Sequence, residues 1–276
     1  MTRARRLAAG GRIDRSRPLR FTYEGAVLHG YAGDTLASAL LANGIGIVGS
    51  GIYSGRPRGI VAAGVEDPGG LVQVELPGGS EPMVRAAAVE LFDGLAARGL
   101  AGKGRLSVER ETARFDKRFV HCDVLVVGAG PAGLAAADAA ARTGARVILA
   151  DAETEPGGSL LGSTGETVGG SPALAWAGKV AVRLRAEPEV RVLSRTTVTG
   201  LYDHGSVVAV ERLTDGITEA RVWHLRAARI VLATGAIERP IVFAGNARPG
   251  VMLAGAARTW LHRYGVLAGE IGRAHV

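Results

Sequence analysis

DVLVVGAGPAGLAAADAAARTGARVILAD, residues 123–151, is the stretch that decides the fold of this chain. The aliphatic run from Val124 to Val127 predicts a parallel strand buried on both faces. A glycine turn follows at once, and then an alanine-rich helix over residues 135–142. Val147 to Leu149 predict a second strand, which ends at Asp151. This succession of strand, turn, helix and strand indicates an α/β sheet.

The turn carries the spacing G-x-G-x-x-G at Gly128, Gly130 and Gly133. These glycines suit a tight turn, a backbone that touches a pyrophosphate, and close packing of helix on strand, and each of these needs excludes a side chain. The helix then directs its free N–H groups and positive dipole end at the diphosphate. We therefore predict a Rossmann-like dinucleotide site, made by Gly128, Ala129, Gly130, Pro131, Ala132, Gly133 and Asp151. The alternative is a glycine turn that only packs the helix on the sheet.

Asp151 also bears on which dinucleotide is bound. A carboxylate at the end of the second strand accepts the ribose hydroxyls of an adenosine and repels a 2′-phosphate. The sequence thus favours NAD, with FAD as the alternative, over NADP.

Two later glycine motifs add weaker candidates for the same site. Gly157, Gly158 and Ser159 follow the second strand, where bare backbone can lie against a cofactor. The alternative for this doublet is a surface turn. Thr234 and Gly235 end a predicted buried strand, Ile230–Ala233, at the carboxyl edge where open α/β sheets bind ligands.

Composition limits the other classes of function. The 276 residues are 47% hydrophobic, which allows two domains, and no apolar run approaches a membrane span or a secretion signal, so we predict a cytoplasmic protein without a membrane partner. The single cysteine, Cys122, excludes an internal disulfide and predicts a buried small residue. The histidine spacing predicts no metal site, and no catalytic constellation stands out in the chain.

Most of the net charge of +7 lies in residues 1–20, where one acid, Asp14, accompanies seven arginines: Arg3, Arg5, Arg6, Arg12, Arg15, Arg17 and Arg20. A basic arm over residues 1–17 suits either a polyanion or a solvated, subunit-contacting tail. Because no stacking motif accompanies it, we favour the second and predict no nucleic-acid partner.

The residues after the arm predict a small ferredoxin-like domain. Leu19–Tyr23 and Ala26–Tyr31 read as a hairpin, and Asp34 as the N-cap of a helix over residues 35–42. A hairpin, a helix and the glycine-rich loop 46–59 appear in this order at the start of plant-type ferredoxins, whose loop carries cysteines for a [2Fe–2S] cluster. This loop has none, so we predict the scaffold without an iron–sulfur cluster.

Arg56 and Arg58 flank a proline in that loop. Two guanidinium groups in this arrangement clamp a phosphate or carboxylate, or anchor the loop to an acidic patch. Both interpretations stay open. Further along we predict one helix and a series of strands: helix Pro172–Arg185 and strands Val72–Leu76, Val84–Leu91, Arg191–Leu193, Val198–Tyr202, Val207–Leu213 and Arg221–Leu225, with turns at His204-Gly205 and Asp215-Gly216.

The predicted fold class is α/β, with a Rossmann-like dinucleotide-binding domain preceded by a small ferredoxin-like (β-grasp) α+β domain without a cluster. The predicted bounds are 1–17 for the arm, 18–92 for the ferredoxin-like domain, 93–120 for a linker and 121–269 for a truncated Rossmann domain. The last segment, residues 270–276 (EIGRAHV), matches one reading frame of a common sequencing adapter. We predict that it is artefactual.

Four motifs resemble the N-terminal half of the alpha subunit of heterotetrameric sarcosine oxidase, with related subunits in amine and opine dehydrogenases and hydrogen cyanide synthase. They are GDTLASALLANG (33–44), RPRGI (56–60), VVGAGPAGLAAA (126–137) and ATGAIERPIVFAGNARPGVMLAGA (233–256). The resemblance runs from Arg17 onward. The loop sequence GSGIYSG (49–55) departs from the family, and the family's C-terminal folate-binding region is absent.

The resemblance implies an NAD-binding part of an oxidoreductase subunit that acts on CH–NH bonds. Sarcosine is then oxidised to glycine, formaldehyde or methylene-folate, and hydrogen peroxide, on a flavin-carrying beta subunit within a hetero-oligomer that also has smaller subunits. No catalytic residue transfers to this chain, and the isolated fragment is expected to be inactive. Two alternatives remain: an FAD-dependent amine or opine dehydrogenase subunit, and a non-catalytic dinucleotide-binding module.

Overall fold

The computed structural model describes residues 5–76, 79–108, 114–213 and 220–269. It divides the chain into two compact units: Met1–Thr112 together with Ile237–Val276, called here the first unit, and Ala113–Ala236, called here the Rossmann unit. Arg3, the predicted turn at Asp215-Gly216 and the predicted artefactual tail 270–276 lie outside the described residues. Within the described ranges, every helix is too short or too polar to cross a membrane.

The described part of the first unit contains strands β1 (Asp14–Tyr23), β2 (Ala26–Ala32), β3 (Gly49–Ser50), β4 (Pro57–Arg58), β5 (Leu71–Leu76), β6 (Gly79–Arg85) and β7 (Ala96–Ala101), with helix α1 (Leu36–Ala42) and, after the Rossmann unit in the chain, helix α4 (Ala254–Tyr264). The sheet order is β2-β1-β7-β3-β4, and the β5-β6 hairpin joins it through β7. The predicted hairpin at Glu24-Gly25 is present, because both residues have the positive φ that a tight two-residue turn needs.

Every residue of α1 is buried. The helix begins at Thr35, whose hydroxyl accepts the Ser38 N–H while the Ser38 hydroxyl accepts the Thr35 N–H, a reciprocal capping box. The predicted N-cap, Asp34, lies one residue earlier. Its carboxylate is fully buried and binds Arg6 instead.

Helix α4 was not predicted, and it completes the core of the first unit. Ala256, Trp260 and Tyr264 project from one side of it at a spacing of four residues and pack with Phe21, Leu36 and Leu40. Gly265 ends the helix with φ +64°, a left-handed conformation that favours glycine. This spacing and the glycine stop were visible in the sequence as signals of a helix.

The start of the basic arm, residues 5–7, is half-buried against the rest of the first unit, whereas residues 8–12 are exposed. The Arg5 N–H donates to the Ala42 carbonyl at 2.9 Å, and the Leu7 N–H to the Gly265 carbonyl at 2.8 Å. The Arg6 guanidinium donates to both carboxylate oxygens of Asp34, at 3.1 and 2.7 Å, and to the Tyr264 carbonyl at 2.6 Å. Residues 5–7 therefore tie α1 to α4 and do not form the predicted solvated tail.

The Rossmann unit has a main sheet flanked by two helices: β8 (Phe115–Val127), α2 (Pro131–Ala141), β9 (Val147–Ala150), the short pair β10 (Thr167–Val168) and β11 (Ser171–Pro172), α3 (Ala173–Ala186), β12 (Val190–Leu193), β13 (Thr196–Tyr202), β14 (Ser206–Arg212) and β15 (Ala220–Leu232). The order of the main sheet is β12-β9-β8-β15-β14-β13. The four strands from β12 to β15 in that order are parallel, and β14 and β13 add an antiparallel ribbon.

Alternating residues of the central strands build two cores, as the predicted doubly buried strand requires. Val126 and Leu149 pack on one face under α2 and α3, whereas Leu125 and Ile148 face the opposite core with Trp223. Side chains one position apart on a strand point to opposite faces, so a run without polar residues serves both cores at once.

Several predicted boundaries differ from the structure. Strand β15 is continuous, and it joins the predicted strands Arg221–Leu225 and Ile230–Ala233. The strand predicted over Ile230–Ala233 is therefore present, but its last two residues, Val231 and Leu232, are exposed, so the predicted burial is wrong. The predicted strand Val84–Leu91 is the end of β6 followed by a 3-10 helix over Ala86–Ala88, and the predicted linker 93–120 contains β7 and the start of β8.

Candidate functional site

The three glycines of the turn after β8 differ in what a side chain at each position would meet. Gly128 has φ +100°, and a β-carbon on it would overlap the Ala233 carbonyl oxygen at the end of β15. A β-carbon on Gly133 would overlap the Gly128 carbonyl oxygen, so α2 lies against the turn at van der Waals distance. Gly128 and Gly133 therefore set the close approach of strand to strand and of helix to strand.

Gly130 differs because the space in front of it is open. The nearest atom to a β-carbon built there is the Cα of Gly158, at 3.8 Å. Gly130 is the N-cap of α2 and has no side chain to cap it, and Pro131 occupies the first helical position. The N–H groups of Ala132 and Gly133 belong to the first turn, which a helix leaves without intrahelical partners. An anion placed before Gly130 would meet these donors and the positive end of the helix dipole.

The glycine doublet packs directly against this turn. The Gly157 N–H donates to the Ala129 carbonyl at 2.9 Å. Gly158 has φ +54°, and a β-carbon on it would come within 2.7 Å of the Gly130 Cα. Ser159, the next residue, is exposed and lies in the 3-10 helix Gly158–Gly162. The main chain of the doublet thus packs directly on the main chain of the turn.

Asp151 directs its carboxylate at the same turn. One oxygen, Oδ2, accepts the N–H of Ala129, and Oδ1 accepts the N–H of Glu153 at 2.7 Å. The Asp151 main chain is held in turn by the Leu193 carbonyl and the Thr196 N–H, at 2.9 and 2.7 Å. These backbone partners left no signal in the sequence, because any residue type supplies a main-chain N–H or carbonyl.

Thr234 and Gly235 follow β15 at the same edge of the sheet. The Ala233 N–H donates to the Val127 carbonyl at 2.8 Å, which holds this segment beside the glycine turn. Thr234 and Gly235 are both exposed, and Gly235 has φ +76° with no atom near its missing side chain. The structure thus brings all twelve predicted residues to the carboxyl edge formed by β8, β9 and β15.

Cys122 is buried in β8, and burial raises the pKa of its thiol to about 11, with the neighbouring Asp123 carboxylate adding to the shift. A thiol with such a pKa is protonated at neutral pH and is a poor nucleophile. As the only cysteine, it also lacks a partner for disulfide redox chemistry.

Two family models match the chain. Residues 122–266 match the pyridine nucleotide-disulphide oxidoreductase model, and residues 16–100 match a 2Fe-2S iron-sulfur cluster binding domain. These matches confirm the predicted fold class, a ferredoxin-type domain before a Rossmann-like domain.

The chain is 49% identical over 270 residues to the alpha subunit of sarcosine oxidase from Corynebacterium sp. (strain P-1), covering 94% of this chain and 28% of that protein. It is 37% identical over 155 residues to an opine oxidase subunit from Agrobacterium tumefaciens (strain Ach5), covering 52% and 30%. It therefore spans less than a third of these curated relatives. The predicted resemblance to the alpha subunit of sarcosine oxidase, based on the four motifs, is confirmed.

Among solved structures, L-proline dehydrogenase from P. horikoshii superposes with a TM-score of 0.73 at 24% identity, covering 98% of this chain and 50% of that chain. This likeness supports the fold.

The match of residues 16–100 corrects one prediction. We expected no iron–sulfur cluster in this chain, and the match to a 2Fe-2S cluster binding domain contradicts that expectation. The chain's single cysteine, Cys122, lies outside the matched range. Thiolates are the usual ligands of such clusters, so this range offers no usual donor set. The function proposed below therefore does not use a cluster.

Proposed function

Since the chain belongs to the pyridine nucleotide-disulphide oxidoreductase family, we propose that its Rossmann unit binds NAD as part of the alpha subunit of a sarcosine oxidase. The observation that carries the proposal is the open space before Gly130, bounded by the α2 N-terminus, the glycine doublet and the Asp151 carboxylate. This combination offers N–H donors to a diphosphate and an acceptor to the adjoining ribose.

Eight of the predicted residues have a role in this proposal. Gly130, Ala132 and Gly133 present main-chain N–H groups to the diphosphate, and Gly157 and Gly158 admit it because they carry no side chains. Asp151 accepts the ribose hydroxyls and repels a 2′-phosphate. Thr234 and Gly235 border the site at the end of β15. Bound NAD supplies hydride-transfer chemistry.

The reaction proposed for the assembled enzyme is the oxidative demethylation of sarcosine to glycine, formaldehyde or methylene-folate, and hydrogen peroxide. Its support is the similarity to the alpha subunit of sarcosine oxidase across 94% of this chain. We place the amine oxidation on a flavin-carrying beta subunit of a hetero-oligomer with smaller subunits, and we assign this chain no catalytic residue.

A second candidate comes from the opine oxidase relatives, which cover about half of this chain. In that case the same turn holds FAD as a working redox group, because FAD also carries an ADP moiety with free ribose hydroxyls.

The test is to purify the full-length chain with its partner subunits and identify the released nucleotide after denaturation. We expect colourless NAD from this chain, and about tenfold or greater loss of NAD affinity in Asp151→Ala, since a ribose contact to a charged acceptor is removed. Arg185→Glu, at an exposed position of α3, is the control with unchanged affinity.

Three results separate the alternatives. A flavin spectrum that follows this chain would favour the FAD-dependent enzyme. Bound NAD that sarcosine never reduces in the assembled complex would favour a non-catalytic module. Purification without any nucleotide, and no binding of added NAD or FAD, would contradict dinucleotide binding altogether.

A further inference from the structure

The short hairpin β3-β4 of the first unit exposes large apolar side chains next to two arginines. Tyr53 is 98% exposed, and Ile47 and Ile52 are 56% and 52% exposed. Arg56 and Arg58 are exposed as well, and the described residues provide neither guanidinium with an ion-pair partner. We call these five residues the hairpin patch.

The hairpin holds these side chains on an ordered backbone. The Val48 N–H donates to the Arg58 carbonyl, and the Gly51 N–H donates to the Arg56 carbonyl, both at 2.8 Å. At the tip of the hairpin, the Gly55 N–H donates to the Gly51 carbonyl at 2.9 Å. Strand β3 also pairs in parallel with β7. A surface fixed in this way loses little conformational entropy when a partner binds.

An apolar cleft adjoins the hairpin patch through Ile47. Its volume is about 410 Å³, and its aliphatic lining comprises Leu41, Ile45, Ile47, Ile60 and Met252, with Arg5 at its border. The Arg5 guanidinium donates to the Ala268 carbonyl at 3.0 Å. The cleft thus offers room for an apolar side chain of a binding partner, and Ile47 connects the cleft to the hairpin that carries the two exposed arginines.

Charge indicates the kind of partner. Residues 44–65 contain Arg56 and Arg58 and no acid. In a two-fold contact between copies of this chain, the same surface would meet itself and bring like charges together. A nucleic-acid interface is much more positive than this patch, whereas an exposed tyrosine, isoleucines and arginines are typical of the centre of a protein interface.

We propose that the hairpin patch and its cleft dock a partner subunit, through a surface of that subunit that carries carboxylates around an apolar side chain. The carboxylates bind Arg56 and Arg58, the apolar side chain enters the cleft, and Tyr53 is buried against the partner. The proposal rests on the proposed function, because it takes the partner to be the flavin-carrying subunit of the same assembly. Of the two sequence interpretations of Arg56 and Arg58, the proposal takes the first, in which the two guanidinium groups clamp carboxylates.

The test coexpresses the full-length chain with its flavin-carrying subunit, and it measures their dissociation constant at several salt concentrations. Arg56→Gln/Arg58→Gln should weaken association at least about tenfold at low salt and abolish its salt dependence, since the complementary charges are lost. Tyr53→Ala should weaken it by a similar factor and keep the salt dependence. NAD binding is measured on every variant and should not change.

Arg185→Glu and Val182→Ala, on the exposed side of α3 in the Rossmann unit, are the matched controls, and they should associate as the unaltered chain does. Three outcomes would overturn the inference: hairpin variants that associate normally, an unaltered chain that does not bind the flavin-carrying subunit, or self-association or oligonucleotide binding that the hairpin variants abolish. A chain that docks through the hairpin patch but binds no dinucleotide would instead refute the proposed function and leave this inference intact.

Discussion

The Rossmann unit is built from one continuous segment, whereas the first unit is built from two segments that flank it in the chain. In the Rossmann unit, main-chain atoms of neighbouring turns approach so closely that glycine is required at Gly128, Gly133 and Gly158. In the first unit, a buried ion pair, the buried helix α1 and the buried side of helix α4 join segments that are far apart in the sequence. The comparison shows that the candidate site depends on close main-chain contacts, whereas the joining of the two segments of the first unit depends on side-chain partners.

The largest effect is expected from Gly133→Ala. The new β-carbon would overlap the Gly128 carbonyl oxygen, a backbone atom that cannot move without shifting the turn. We expect a loss of about 4 kcal/mol in the free energy of unfolding and loss of NAD binding. Chemical denaturation and calorimetric titration measure the two effects.

Gly178→Ala is its matched control. Gly178 lies in α3 with nothing near its missing side chain, so alanine should stabilise that helix by up to about 1 kcal/mol. If both substitutions had the same effect, close backbone packing would not explain the glycine turn.

Arg6→Ala tests the first unit and should cost about 3 kcal/mol, because it leaves the Asp34 carboxylate buried without its cation. Denaturation is monitored by tryptophan fluorescence in a background with Trp176→Phe and Trp223→Phe, so that Trp260 alone reports on the core that the ion pair closes. Arg98→Ala breaks an exposed ion pair with Glu75 in the same unit and should change stability by less than about 1 kcal/mol. Equal effects would show that the arm does not hold α1 and α4 together.

The buried Cys122 thiol tests how well the interior of the Rossmann unit is closed to solvent. Because burial raises its pKa from 9.0 to about 11, the thiolate fraction near pH 8 falls about a hundredfold relative to an unperturbed thiol. Alkylation of the native chain should therefore be at least that much slower than alkylation of the denatured chain.

The linked effect on stability has a definite sign. The folded state binds this proton more tightly than the unfolded state, so the stabilisation is present below about pH 9 and decreases as the pH rises through about 11. Equal alkylation rates in the native and denatured chain would show that Cys122 is accessible.

Thr35→Ala should have the smallest effect, about 1 kcal/mol, because it removes one half of the capping box of α1. Thr35→Ser keeps the hydroxyl and should retain most of the stability. If the two variants lost equal stability, the threonine methyl group rather than the cap would stabilise this helix.

Sequence patterns predicted the parts of the fold that depend on neighbours in the chain. The G-x-G-x-x-G turn between β8 and α2 and the hairpin at Glu24-Gly25 lie where they were predicted, because positive φ and close backbone approach restrict the residue type locally. The sequence does not predict the continuous course of β15, because Ala227 and its neighbours interrupt the apolar pattern without shifting the register of the strand with β8.

The parts that depend on distant partners could not be predicted in the same way. The sequence predicts Asp34 as an N-cap because aspartate favours that position. In the structure, Arg6 of the arm binds the buried Asp34 carboxylate instead. The membership of α4 in the first unit likewise depends on the meeting of Trp260 with residues more than two hundred positions earlier. The site residues remain predictions whose positions agree with a dinucleotide cradle.

The discontinuity of the first unit has a consequence for synthesis on the ribosome. Trp260 and Tyr264 complete its core, so the early strands must wait while the whole Rossmann unit is translated. The Rossmann unit, emerging as one uninterrupted stretch, has all of its own contacts at hand first. We therefore expect a released chain that ends near residue 240 to hold a protease-resistant segment over residues 113–236, preceded by a protease-sensitive N-terminal part.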